Sequence, residues 1–208
     1  IEAIGSSYPE QDAEVISMAY NIYKMFGIEN LSIKINSLGS ENIRIKYVKS
    51  LKETLMKFKN DLEDVEKKKL ENNPLRILDS KNKNTQKIIS KHAPVIMDFI
   101  TKEDEDHFTE LTKILAGLSI PYEHDPKLVR GLDYYTRTTF EIISDSLGAQ
   151  DALCGGGRYD GLISQLGGDN IPAVGFAAGI ERLLLAMKLE QDYKIETDVL
   201  YKPNKYII

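Results

Sequence analysis

Three short stretches of the chain carry side chains that could handle a charged substrate. In "KLVRGLDYYTRTTFEII" (127–143), Arg130 precedes a glycine and an aspartate, and Tyr134 and Tyr135 follow side by side. Arginine is a permanent cation with a planar donor fork that grips carboxylates and phosphates. Tyrosine offers an apolar wall and a hydroxyl able to bond a ring nitrogen. In "CGGGRYDG" (154–161), Tyr159 comes after three glycines, a composition that lets a backbone or ligand approach closely. In "GFAAGIERLLL" (175–185), small residues occupy a strand-to-helix junction and leave room for a flat group, with Arg182 one turn into the helix. There its guanidinium could reach a phosphate. Singly, each stretch has an ordinary reading. Glycine runs are commonly turns, strand aromatics are commonly core, and a Glu181–Arg182 pair at a helix start is commonly a surface ion pair. Neither a P-loop nor a dinucleotide fingerprint is present. The weight lies in all three occurring in one order.

The elements that must position these residues can be read from periodicity. "SSYPEQDAEVISMAYNIYKMFGI" (6–28) predicts an amphipathic helix, capped by Ser7 with Glu10 completing a capping box and Pro9 in the first turn. Val15, Ala19, Ile22, Tyr23 and Phe26 form its apolar face, and Gly27 ends it. "LSIKIN" (31–36) alternates Leu31, Ile33 and Ile35 as a half-buried strand. Residues 41–120 are rich in Lys, Glu, Asp, Leu and Ile and predict helices over roughly 41–60, 61–72, 84–92, 94–101 and 103–117. Beyond Pro121 glycine returns. "RTTFEII" predicts a strand with Thr138, Phe140 and Ile142 on one side, and adjacent Tyr134 and Tyr135 would point to opposite faces of such a strand. "ALCGGGRYDGLISQLGG" predicts a strand, a glycine turn and a short helix. "PAVGFAAGIERLLLAMKLE" predicts a buried strand, then a helix with Leu183, Leu184 and Met187 inward. The fold class is therefore α+β, a core split in sequence by a helical module.

Composition narrows the function classes. With 27 basic and 32 acidic residues the net charge is −5, so bulk charge is no argument for nucleic-acid binding. The longest apolar runs fall far short of a bilayer span, and the first residues are not a signal peptide. One cysteine, Cys154, and three scattered histidines (His92, His107, His124) supply neither a disulfide nor a metal cluster, so no tightly bound metal is expected. A reducing, cytoplasmic setting is the expectation.

Taken together, "LVRGLDYYTRTTFEI", "LCGGGRYDGLISQLGG" and "PAVGFAAGIERLLL" resemble the signature segments of the histidyl-tRNA synthetases, a class II aminoacyl-tRNA synthetase family. "DAEVI", "INSLGS" and "NNPLRILDSKN" resemble it as well, so the likeness spans most of residues 1 to about 190. The resemblance implies part of an antiparallel class II sheet flanked by helices, with an all-helical insertion. The expected divisions are 1–40 and 121–190 for the catalytic core, 41–120 for the insertion, and 191–208 for a linker or the start of a further domain.

The resemblance also implies a reaction. Histidine and ATP, the latter with Mg2+, give histidyl-adenylate and pyrophosphate, and the histidyl group passes to the 3′ end of tRNA(His). Residue by residue, Arg130 would be catalytic, contacting the α-phosphate and the histidine carboxylate. Tyr135 would bond the imidazole, with Tyr134 beside it. Glu2 would read the other side of the ring, Tyr159 would close the pocket, and Arg182 would hold the γ-phosphate. Lys46, Lys49, Lys67, Lys68 and Lys69 are candidates for tRNA contact in the insertion, against the plainer reading of a solvated helix face. A homodimer in the full-length protein is implied, and no membrane partner. Motif 1 and the body of motif 2 are not seen, which leads to the expectation of a catalytic-domain fragment that lacks much of the ATP site. Two other readings stand beside this one: the histidine-sensing regulatory subunit of ATP phosphoribosyltransferase, and an RNA-binding helical module. Arg130 and Arg182 weigh against the first, and the net charge against the second.

Overall fold

The computed structural model describes residues 1–130, 132, 134–144, 147 and 152–187. Among them the strands are β1 (Glu2–Ile4), β2 (Leu31–Ser37), β3 (Glu123–His124), β4 (Thr136–Ser144), β5 (Ala152–Arg158) and β6 (Ala173–Ala178). The helices are α1 (Pro9–Met25), α2 (Glu41–Met56), α3 (Asp64–Asn72), α4 (Lys83–His92), α5 (Lys102–Gly117), α6 (Leu162–Gln165) and α7 (Ile180–Ala186). The strands form one sheet in the order β1-β6-β5-β4-β2-β3. Its pairings are antiparallel apart from the short β2–β3 contact. The expected α+β class and antiparallel sheet are both present. The expected segment 191–208 lies outside the described residues.

One face of the sheet is apolar because alternate strand residues turn that way. Ile33, Ile35, Phe140, Ile142, Val174 and Phe176 are at most 5% exposed and pack against α1 and α5. Helix α5 contributes Phe108, Leu111 and Leu115 to this cluster. Helices α2, α3 and α4 bury a second cluster, including Tyr47, Leu51, Leu55, Leu70 and Ile89, which reaches Tyr135. The helical stretch thus meets the sheet through one of the tyrosines singled out from the sequence.

Polar ties lie within the first face. Asp12 of α1 and Arg158 of β5 are both fully buried. The Arg158 guanidinium spends all five N–H groups. Nη1 donates to the Ser6 carbonyl at 2.8 Å and Asp160 Oδ1 at 3.0 Å, Nη2 to the Tyr8 carbonyl at 3.2 Å and to Asp12 Oδ1, and Nε to Asp12 Oδ2 at 3.3 Å. Thr138 Oγ1 at 2.5 Å and His107 Nε2 at 2.8 Å also meet Asp12 Oδ2. A buried charge is tolerable only when paired and hydrogen-bonded, and this pair meets that condition.

Several local expectations are corrected. Helix α1 is capped by Tyr8 without a side-chain bond, not by a Ser7–Glu10 box. Pro9 presets its first turn, and Arg158 holds the carbonyls that precede it. Gly27 does end α1, at φ +76, and the Ile28 amide closes onto the Tyr23 carbonyl at 3.2 Å. Phe26, as C-cap, turns off the apolar face and is 48% exposed. The helix expected over 94–101 is one 3₁₀ turn, Ile96–Asp98, because Thr101 caps α5 and leaves too few residues to propagate a helix. Helix α2 stops at Met56, and a 3₁₀ turn, Lys59–Asp61, separates it from α3. The three glycines 155–157 sit inside β5, not in a turn. Leu184, expected inward on α7, is 44% exposed, while Leu183 and Met187 do pack against the first cluster.

Candidate active site

The opposite face of the sheet is built on glycine. Residues 155 and 157 alternate toward it along β5, and Gly175 pairs with Gly157 from β6. A methyl group at any of these would collide with a side chain singled out above. At Gly155 it would lie 2.3 Å from Arg130 Cζ, at Gly157 2.9 Å from Tyr135 Cδ1, and at Gly175 1.8 Å from Glu2 Oε2. The glycines therefore seat these three side chains flat against the sheet, where any larger residue would lift them off. Gly156 faces the other way, and a Cβ there would meet the Gly175 carbonyl oxygen at 2.2 Å.

Glu2, Tyr134, Tyr135 and Tyr159 converge over the Gly157–Gly175 pair. The Tyr159 hydroxyl donates to Glu2 Oε2. The Tyr134 ring lies 4.8 Å from that of Tyr135 and 5.9 Å from that of Tyr159. Tyr134 and Tyr135 precede β4 and do not belong to it, so the two-face alternation expected of them does not apply. Both pack against the helical cluster. Burial pushes the Tyr135 phenol up to about 12, with Tyr134 adding to the shift and Arg130 opposing it. Burial, then the bond to Glu2, raises Tyr159 as well. Both hydroxyls therefore keep their protons at neutral pH and remain donors.

Arg130 lies one glycine further back along the same face. Its Nη1 donates to Glu141 Oε1 at 2.6 Å, and its side chain is 27% exposed. Its Nε is buried without a protein partner. The side chain's exposed part lines an open cleft, where a guanidinium can take an acceptor from a ligand. The cleft, of about 450 Å³, is lined by Lys34, Asp125, Lys127, Arg130 and Glu141 among others. Asn36, fully buried, donates to the Leu128 carbonyl at 3.0 Å, and the Asp125 amide bonds the Ile35 carbonyl at 3.0 Å. These bonds pin the segment that delivers Arg130.

Arg182 stands apart from this group. It is exposed on α7 and donates through Nη1 to the Ala152 carbonyl at 2.7 Å, at the start of β5. Order along β5 is then Arg182 at residue 152, Arg130 at 155, Tyr135 and Glu2 at 157, and Tyr159 just beyond. Five residues of strand cover about 17 Å at a rise of ~3.4 Å each. Among the described residues no three His, Cys, Asp or Glu side chains gather as a cation site. Of the insertion lysines, Lys49, Lys67 and Lys69 form helical-spacing ion pairs with Glu53, Asp64 and Glu66, while Lys46 and Lys68 are exposed.

Sequence reasoning missed Glu141, the carboxylate that holds Arg130, and Asp12 with Arg158. A signal for Asp12 was available: an aspartate set among Ala13, Val15 and Ile16 on an apolar helix face implies a buried partner. Glu141 falls on the polar side of the alternating "RTTFEII", and its partner cannot be named from that pattern.

Comparison with known proteins places this geometry. The family model described as histidyl-tRNA synthetase matches residues 1–183. The chain is 48% identical over 186 residues to a protein named histidine–tRNA ligase from Protochlamydia amoebophila, covering 89% of this chain and 44% of that one. It is 46% identical over 205 residues to the protein of that name from Microcystis aeruginosa, covering 99% and 48%. The crystal structure of the apo histidyl-tRNA synthetase from S. aureus superposes with a TM-score of 0.71 at 38% identity, covering 91% of this chain and 46% of that one. A Bacillus halodurans structure described as an ATP phosphoribosyltransferase regulatory subunit/histidyl-tRNA synthetase superposes at 0.59 with 23% identity, which speaks to fold alone. The chain spans about half the length of the curated relatives it matches.

Proposed function

Because this chain belongs to the histidyl-tRNA synthetase family, we propose that the glycine-seated face of its sheet binds L-histidine and ATP and supports their conversion to histidyl-adenylate. The observation that carries the reading is the order of groups along β5. Arg182, Arg130 and the Glu2–Tyr135–Tyr159 cluster follow one another as the γ-phosphate, α-phosphate and imidazole of the two reactants would. A carboxylate and a phenol on opposite sides of an imidazole select a ring with both donor and acceptor nitrogens. Tyr134 walls the ring. Arg130, partly exposed on the cleft, bonds the histidine carboxylate and the α-phosphate as charge builds during attack, when fixed donors help most. Arg182 orients the departing pyrophosphate. Mg2+ enters as part of the ATP substrate, with phosphate oxygens as its main ligands.

Transfer of the histidyl group to tRNA(His), homodimer formation and a cytoplasmic location belong to the same proposal for the full-length protein. We assign helices α2 to α4, within the stretch 41–120 expected as the insertion, to the tRNA acceptor stem, since α5 packs with the sheet's first cluster. A groove there lined by Arg44, Lys49 and Lys52 supplies cations for a phosphate backbone. Histidine-dependent ATP–pyrophosphate exchange by the natural full-length protein tests the reading. Exchange supported by histidine and not by other amino acids is the expected result. Histidine binding with no exchange would point to a sensor and overturn it.

A further inference from the structure

The two side chains that meet across the histidine pocket, Glu2 and Tyr159, hang from thin supports. Glu2 belongs to β1, a three-residue strand at the edge of the sheet that pairs with β6. Tyr159 follows the last residue of β5, at the entry to the turn before α6. A pair this short does not fix its own geometry. On the other face of the sheet, one guanidinium reaches both supports. Arg158, adjacent to Tyr159, donates to the Ser6 and Tyr8 carbonyls of the segment leaving β1 and to Asp160 on the far side of Tyr159. Asp160 in turn accepts from the Ala173 amide at 3.3 Å, on the strand that pairs with β1. The clamp is anchored, since Asp12 holds Arg158 while itself held by Thr138 and His107.

We infer that Arg158 is a positioning residue for histidine recognition. It sets the spacing between Glu2 and Tyr159 from behind the sheet, without touching the substrate. The inference rests on the proposed function of the site. The side chain must be arginine, because a lysine ammonium has three donors and no planar fork, and cannot span both carbonyls, Asp160 and both oxygens of Asp12. A role confined to core stability would lower the folded fraction and leave the affinity of the folded molecules unchanged. A positioning role shifts recognition of histidine and spares ATP, whose proposed contacts at Arg130 and Arg182 lie further along β5.

The test is steady-state exchange kinetics of the full-length protein and its Arg158→Lys variant, with histidine and ATP varied separately. The expected result is a KM for histidine raised about tenfold or more, with the KM for ATP within about twofold, as a small misplacement of binding groups produces. A histidine KM within about twofold of the unmodified protein, with only kcat reduced, overturns the inference. If Arg158→Lys does not fold, Asp160→Asn serves, since it keeps an oxygen for both bonds and loses the charge. There a rise of about threefold in the histidine KM supports the inference, and an unchanged value overturns it. No histidine-dependent exchange by the unmodified protein would instead sink the function reading, and the inference with it.

Discussion

Two arginines meet the glycine run, Arg158 next to it in sequence and Arg130 packed on Gly155 from a distant segment; they face opposite sides of the same sheet and are built for different tasks. Arg158 is fully buried, with every N–H group bonded to protein. Arg130 lies across Gly155 with one ion pair to Glu141, partial exposure and a buried Nε left unbonded. The first arrangement is saturated, so it can hold other groups in place but has no donor left for a substrate. The second holds donor capacity in reserve, which is what a group needs if it is to stabilise charge that appears during a reaction. The strand that separates them alternates its residues, so a shift of one position changes which task a side chain can serve.

The comparison can be broken most forcefully at Arg130. Arg130→Ala in the full-length protein is expected to reduce histidine-dependent exchange by about 10²–10³-fold, the range seen on deleting a fixed transition-state donor. Its thermal midpoint should barely move. A large drop in Tm would assign Arg130 to the structural side. Gly156→Ala should do the reverse, because its methyl group meets the backbone of β6 and cannot be relieved by a rotamer change. A loss of about 1–3 kcal/mol by urea unfolding is expected for such overpacking.

The saturated face can be probed more gently. Thr138→Val removes one donor to Asp12 and is expected to cost about 1 kcal/mol in urea unfolding, with the histidine KM little changed. Burial alone would raise the Asp12 carboxyl, but its bond to His107 and the charge of Arg158 outweigh that and hold it below the usual aspartate value. A folded-state value below the unfolded one of about 3.9 stabilises the fold at pH above that value. The contribution is lost as pH falls through the lowered folded-state midpoint. A carbon-detected NMR titration should find Asp12 ionising below about 3.9, and a midpoint at or above this value would contradict the assignment. The smallest effect is expected far from both faces. Lys49→Ala, which breaks an exposed pair with Glu53 at 4.0 Å, should shift Tm by less than about 2 °C.

Much of this was legible in the chain. The alternation of Ile33 and Ile35, and of Thr138, Phe140 and Ile142, sets the apolar face of the sheet, and local pattern suffices to read it. Glu2, Arg130, Tyr134, Tyr135 and Tyr159 were singled out through their motifs, and all sit on one side of the sheet. Composition alone places the glycine run in a turn, because it reports freedom and crowding alike. Only the packed sheet reveals that Gly155 and Gly157 make room for side chains from distant segments. The Asp12–Arg158 tie joins residues 146 positions apart, and a single sequence carries no signal for such a pair beyond the oddity of a charge on an apolar face. The failed capping box has a similar origin. The first turn of α1 is held by Arg158 from the far end of the chain, which local propensity cannot anticipate.

The central claim is that the glycines of β5 exist to seat reactive side chains on one face. Gly155→Ala tests it most directly, since the three atoms nearest the added methyl group all belong to the movable end of Arg130, with Cζ 2.3 Å away. Histidine-dependent pyrophosphate exchange by this variant of the full-length protein is predicted to fall at least about tenfold, as a misplaced catalytic group requires, with Tm unchanged. Exchange at the unmodified rate would contradict the account.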